Sequence, residues 1–152
     1  LGAHARTPVQ DAVIARLLAE VSALKGVFSM GRSARAFDKR DLPIALIAVG
    51  DTIVNISSSV PRKQRRDLSV QVHLLGSGDD TNIDNVLNDL SVDVEKALAN
   101  EADVFGFRVL SWAHQGGTPG TYESAEAVYA RLTLIWTMSV LTTEGRPDEL
   151  AV

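Results

Sequence analysis

PRKQRRDLSVQVHLL, residues 61–75, decides the fold. Leu68, Val70, Val72 and Leu74 alternate with Asp67, Ser69, Gln71 and His73, and a period of two with one apolar side marks a half-buried strand. His73 falls on the polar side and reads as a surface histidine. Four cations in five positions, Arg62, Lys63, Arg65 and Arg66, lead into the strand. A turn, GSGDD, follows, and then TNIDNVLNDLSVDVEKALANEA. In this second stretch Ile83, Val86, Leu87, Leu90, Val94, Ala97 and Leu98 fall on one helical stripe. Asp84, Asp89, Asp93 and Glu95 lie largely off it. Asp80 or Thr81 is placed to cap the helix, with Asp84 as the reciprocal acidic partner. A basic arm and an acidic helix in one chain suit head-to-tail association better than catalysis.

Upstream, Thr7-Pro8 reads as an N-cap followed by proline at the first helical position, where its missing N–H does no harm. Val9, Val13, Leu17, Val21 and Leu24 then form one apolar stripe, widened by Ile14 and Leu18, and Lys25-Gly26 stops the helix. Residues 27–29 suit a short strand, and residues 30–41 are polar and basic with little periodicity. LPIALIAV, residues 42–49, is apolar on both sides, as in a strand covered on each face; Pro43 fits only at its start. Gly50-Asp51 reads as a turn, and the β-branched residues 52–59 continue or pair as a strand. Residues 62–75 return antiparallel.

Downstream, residues 105–114 and 124–141 read as a closing strand pair. In the second of these Val128, Ala130, Leu132, Leu134, Trp136 and Met138 face the core. QGGTPGTY, residues 115–122, reads as the connecting loop, with Gly116, Gly117, Thr118 and Gly120 available to meet a partner. The expected order is α-β-β-β-α-β-β: an α+β domain over residues 1–141, with two helices on one face of a mainly antiparallel sheet of about five strands. Residues 142–152 are expected to form a flexible tail.

The chain has 152 residues, enough for one domain with one core. Its hydrophobic content of 45% and charged content of 22% argue against global disorder. Cysteine is absent, which excludes disulfides, thiol catalysis and Cys-ligated metals. The apolar run at 42–50 is far short of a membrane span, and no basic segment with an apolar core opens the sequence, so neither a membrane role nor a secretory signal is expected. Charge is segregated. Residues 31–66 hold eight Lys/Arg against three Asp, and residues 76–126 hold ten Asp/Glu against Lys96 and Arg108. Such separation steers a partner, or a second copy, into register.

Signs of chemistry are few. His4, His73 and His114 show no metal-ligand spacing. The glycine loop at 116–120 lacks the Gly-Lys-Ser/Thr ending of a phosphate cradle and no helix follows it. Asp79, Asp80 and Asp84 lack calcium-loop spacing, and no Gly-x-Ser-x-Gly occurs. No catalytic residue, metal or cofactor is expected. Three roles fit the cluster Arg62, Lys63, Arg65 and Arg66: contact with nucleic acid phosphates, contact with a partner's carboxylates, or protection of a strand edge. No aromatic residues are interleaved to stack on bases.

In its element order the chain resembles the tail terminator proteins of long-tailed bacteriophages and phage-like particles. The features are the opening amphipathic helix at 9–24, the Leu-Pro-Ile-Ala-Leu-Ile strand at 42–47, the strand PRKQRRDLSVQV at 61–72, the acidic helix at 83–98 and two closing strands, over roughly residues 7–141. The resemblance implies a hexameric ring on the finished end of the tail tube. The ring halts polymerisation of the tube protein and meets the head-tail connector protein. It is assembled in the host bacterial cytoplasm, belongs to the virion tail, and has no cofactor, no reaction and no membrane. DNA is only passing cargo. By charge, the ring contacts would be the arm at Arg62, Lys63, Arg65 and Arg66 and the helix carrying Asp84, Asp89, Asp93 and Glu95. A neck or head-completion protein of similar fold, or a small ligand-binding regulatory domain, are the alternatives.

Overall fold

The alternating stretch at 61–75 forms the central strand of the sheet in the computed structural model, which describes residues 4–30, 39–77, 81–123 and 128–150. The elements run α1 (Arg6–Glu20), β1 (Val27–Ser29), β2 (Ile44–Asn55), β3 (Lys63–Ser77), α2 (Ile83–Ala97), α3 (Glu101–Val104), β4 (Ser111–Glu123), β5 (Val128–Thr143) and β6 (Arg146–Leu150). The fold is α+β, as expected. Its six-stranded sheet has the order β1-β2-β3-β5-β4, with β6 also on β5. β1 joins β2 in parallel, and the other pairs are antiparallel.

Alternation along β3 sorts its residues between two faces. Leu68, Val70, Val72 and Leu74 are buried in one cluster with Val9, Val13 and Leu17 of α1, Leu87, Leu90 and Val94 of α2, and Leu134, Trp136 and Met138 of β5. Both long helices therefore lie on the same face, and each fully buried aliphatic side chain contributes about 1.5–3 kcal/mol. A second, smaller cluster on the other face joins Leu42, Ile44, Leu46, Leu75 and Tyr129, with Phe28 and Met30 against it. It covers both sides of the apolar strand at one end, as the run at 42–49 implied. Arg16 Nε donates to Ala97 O at 3.0 Å, tying α1 to the C-terminal end of α2 and placing a cation where the helix carbonyls gather.

Several expectations are corrected. α1 begins at Arg6, one residue before Thr7, and no side chain caps it; the flanking Ala5 N–H donates instead to Pro147 O of β6 at 2.7 Å. α1 ends at Glu20, and Val21 and Leu24 stay buried in the turn that follows. Leu18 and Val86, expected on the apolar stripes, are exposed. Thr81 does not cap α2, whose flanking residue is Asn82, with no side-chain cap bond; Asp79 and Asp80 lie outside the described residues, as does most of the basic segment at 30–41. Gly50-Asp51 is no turn: β2 runs unbroken for 12 residues, because Asp51 turns onto the helix face and pairs with Arg66 of β3.

The C-terminal half departs further. Residues 105–110 precede β4, which starts at Ser111. Residues 115–122 are not a loop but the body of β4, paired with β5 through Glu123↔Val128. Edge strands tolerate proline because one side of the ladder needs no donor, so Pro119 fits here. The segment from 142 is no loose tail: Thr142 is fully buried, β5 continues to Thr143, and β6 pairs back on it.

Candidate interaction surfaces at the two sheet edges

The four cations of the arm divide by the pleat. Even-numbered residues of β3 face the helices, so Arg66 is carried inward and is only 5% exposed. Its Nη1 pairs with Asp51 Oδ2, and its Nε donates to Thr142 Oγ1 at 3.0 Å. Arg6 approaches the same carboxylate at 3.5 Å. Arg65, on the other face, grips Asp67 with two hydrogen bonds of 2.9 and 3.1 Å. Arg65, helped by Ser139, holds the Asp67 carboxyl below its ordinary value against a smaller opposing push from burial. Arg62 pairs with Glu144 at 3.0 Å. Lys63 is exposed and forms no ion pair among the described residues. Beside it the β2–β3 tip presents Ile53, Ile56 and Val60, the last 75% exposed. What the sequence presents as a cationic arm is a tip with apolar side chains on which, among the described residues, Lys63 alone of the four cations lacks an ion pair or side-chain hydrogen bond.

At the β4 edge of the sheet lies a cleft of about 540 Å³ between α2 and β4. Leu87, Leu132 and Leu134 form its apolar wall, and Asp84, Asn88, Ser91 and Glu95 of α2 line its helical side. A bulge shapes β4: pairing with β5 shifts between His114 and Gly116, where Gly116 has φ +107°, a backbone that glycine adopts without strain. The extra residue puts His114 and Gly117 on one face, opposite Trp136 and Leu134. Gly117 lets Leu134 pack directly against the β4 backbone, since a Cβ there would stand 2.8 Å from Leu134 Cδ2.

His114 stacks on Trp136 with 4.2 Å between ring centroids. Its Nδ1 lies 3.0 Å from Ile135 O and its Nε2 2.7 Å from Glu95 Oε1. Both neighbours are acceptors, so both contacts are made as hydrogen bonds only when each ring nitrogen carries a proton. Trp112 Nε1–H donates to Leu98 O at 2.6 Å and fixes the end of α2 to the start of β4.

No family model and no curated protein matches the sequence. The fold is similar to that of a chain in the virion of a native gene transfer agent particle. The TM-score is 0.58 at 17% identity, and the match covers 94% of this chain and 100% of that one. At that identity the likeness is one of fold, and it runs the length of both chains.

Within this fold, Asp84, Glu95, Gly116 and Gly117 come together in the cleft. Asp93 lies instead beside Arg16, Glu20 and Lys96 in a groove between α1 and α2. Asp89 is exposed; Thr118 and Gly120 sit on β4 outside the cleft, with Gly120 against Arg131. Arg62, Lys63 and Arg65 lie away from the cleft, at the end of the central strand β3 next to the β2–β3 turn, and Arg66 is buried. His73 is not a surface residue. It is 5% exposed, and burial first, then the Arg131 charge, lowers its pKa below 6.5. Gln71 Oε1 at 3.1 Å takes the Nε2 proton, leaving Nδ1 to accept from the Thr133 hydroxyl at 2.9 Å. The roles of His114 and Arg131 in the cleft were missed: the bulge that aims His114 depends on pairing with a strand some 20 residues later. Among the described residues no group of three or more His, Asp or Glu could hold a metal ion, and no helix is long and apolar enough to cross a membrane.

Proposed function

We propose that this chain is a structural protein of a phage-like virion, and within it a tail terminator: a ring, of six copies by family resemblance, that caps the tail tube, stops its polymerisation and receives the head-tail connector. The observation that carries the proposal is the fold likeness, over 94% of this chain and all of the other, to a chain of a gene transfer agent virion. The layout of the surfaces supports it. The apolar, cationic tip lies at the strand end of the β2–β3 pair, and the cleft, with Asp84 and Glu95 on its helical side, lies at the β4 edge of the same sheet. A patch that binds a different patch on the next copy builds a ring when the rotation closes, and the charge pattern disfavours tip-to-tip and cleft-to-cleft contacts.

The reading assigns no reaction and no cofactor: its work is to end a polymer. Light scattering after size exclusion, with and without tail tubes, tests it together with negative-stain images of tube ends. Rings in solution or caps on tube ends are expected. A chain that stays monomeric and leaves tube ends bare and growing overturns the reading.

A further inference from the structure

We infer that the β2–β3 tip of one copy seats in the α2–β4 cleft of the next, with Lys63 paired to Asp84. The inference rests on the ring reading and specifies its contact. On the tip, Ile56 and Val60 are about half and three-quarters exposed, and Ile56 N–H donates to Lys63 O at 2.9 Å, so the aliphatic side chains and the cation travel as one unit. Exposed aliphatic side chains concentrated at one place mark a surface that is covered on assembly. In the cleft of about 540 Å³, Leu87, Leu132 and Leu134 supply a matching apolar wall.

Charge selects the partners. Glu95 is taken by His114, whereas Asp84 is exposed and has no ion pair among the described residues. Lys63 is the exposed cation of the arm with no ion pair among the described residues, and it is the complement of Asp84. A second copy is therefore the occupant the observations favour, because the same chain carries both halves of the contact on separate parts of its sheet.

The register supplies a geometric consequence. Leu134, in the cleft wall, is level with Val72 on β3, while the tip starts beyond Gln64, eight residues away along the same strand. At ~3.3 Å per residue that is an offset of roughly 26 Å. Neighbouring copies are therefore staggered along their strands, as they are in closed barrels whose strands tilt by ~35–45°.

The test uses full-length protein and exploits the absence of native cysteine. Ile56→Cys and Asn88→Cys are placed in separate chains, mixed, assembled on tube ends and mildly oxidised. A cross-linked dimer on a non-reducing gel is expected from the mixture and from neither variant alone. Lys63→Glu and Asp84→Lys are each expected to lower ring or cap formation at least tenfold, and the double swap Lys63→Glu/Asp84→Lys to restore most of it. Rings or caps that form normally without the cross-link, or that ignore the charge swap, overturn this contact and leave the ring reading standing. A thiol-attached photocrosslinker at Ile56→Cys that labels only the tube protein overturns it too. Loss of all assembly in the unmodified chain overturns both.

Discussion

The two faces of the sheet are made by the same strands, yet they use polar residues in opposite ways. The helix-covered face is apolar down to its end, where Gln64 and Arg66 are buried, and there Arg66 is enclosed by Asp51 and Thr142. The face away from the helices carries Asp67, Ser69, Gln71 and His73 on β3 and Thr133, Ile135 and Thr137 on β5, paired among themselves and partly open to water. One step along the chain, from Arg65 to Arg66, separates a solvated ion pair from a buried one. Charge counted along a sequence therefore says little about availability until the pleat is known.

The comparison breaks first at Trp136. It is buried on the helix face between Trp112 and His114, with ring centroids at 6.0 and 4.2 Å. Trp136→Ala is expected to cost about 3–5 kcal/mol in a denaturant titration. A loss below 1 kcal/mol would mean that this face is not the core.

Next comes Arg66→Ala. It leaves the Asp51 carboxylate largely enclosed with only the more distant Arg6, and removing one partner of a buried pair costs about 3 kcal/mol. Arg65→Ala, on the open face, is expected to cost less than ~1 kcal/mol in the same assay, since an exposed pair is screened by water. Equal losses for the two would erase the distinction between the faces.

A smaller effect is read by pH. The folded chain holds His73 neutral, with its pKa lowered by burial and by Arg131, while the unfolded chain takes up a proton as pH falls through about 6.5. Stability from this site is complete above that pH and declines below it. Melting temperatures between pH 8 and 5 are expected to fall less steeply for His73→Gln than for the unmodified chain. Identical slopes would show that His73 is not held neutral.

The smallest effect belongs to Asp67, whose lowered pKa makes its contribution present in full above the ordinary carboxylate value of 3.8 and lost as pH falls from there through its lower folded value. The Arg65–Asp67 pair is more than a third exposed. Solvent screening therefore holds Asp67→Asn to less than ~1 kcal/mol at neutral pH, measured by denaturant midpoint.

What was legible in the sequence is what repeats locally. Val9, Val13 and Leu17 spell out the buried side of α1, and Leu68 to Leu74 spell out the period of β3, because the burial of each follows from the geometry of its own element. The acids at 84, 89 and 93 were likewise readable as solvated. What escaped needed a partner from elsewhere in the chain. Gly116, Gly117 and Pro119 look like a loop until β5 offers a ladder to an edge strand. Asp51 looks like a turn residue until Arg66 arrives from 15 positions later. Residues 146–150 look like a loose end until they are placed beside β5. Asp84 and Glu95 were legible as acids off the buried stripe but not as neighbours in one cleft, and the burial of Arg66 could not be read without its partners Asp51 and Thr142.

The β2–β3 tip is held from a distance. Arg62 donates its backbone N–H to Glu144 Oε2 at 2.9 Å and its side chain to Oε1 at 3.0 Å, and Glu144 N–H returns a bond to Arg62 O at 2.8 Å. Like a bracket at the foot of a lever, the β5–β6 turn sets the direction in which the hairpin projects. Altering Glu144 would leave every mating side chain intact and still spoil its bearing.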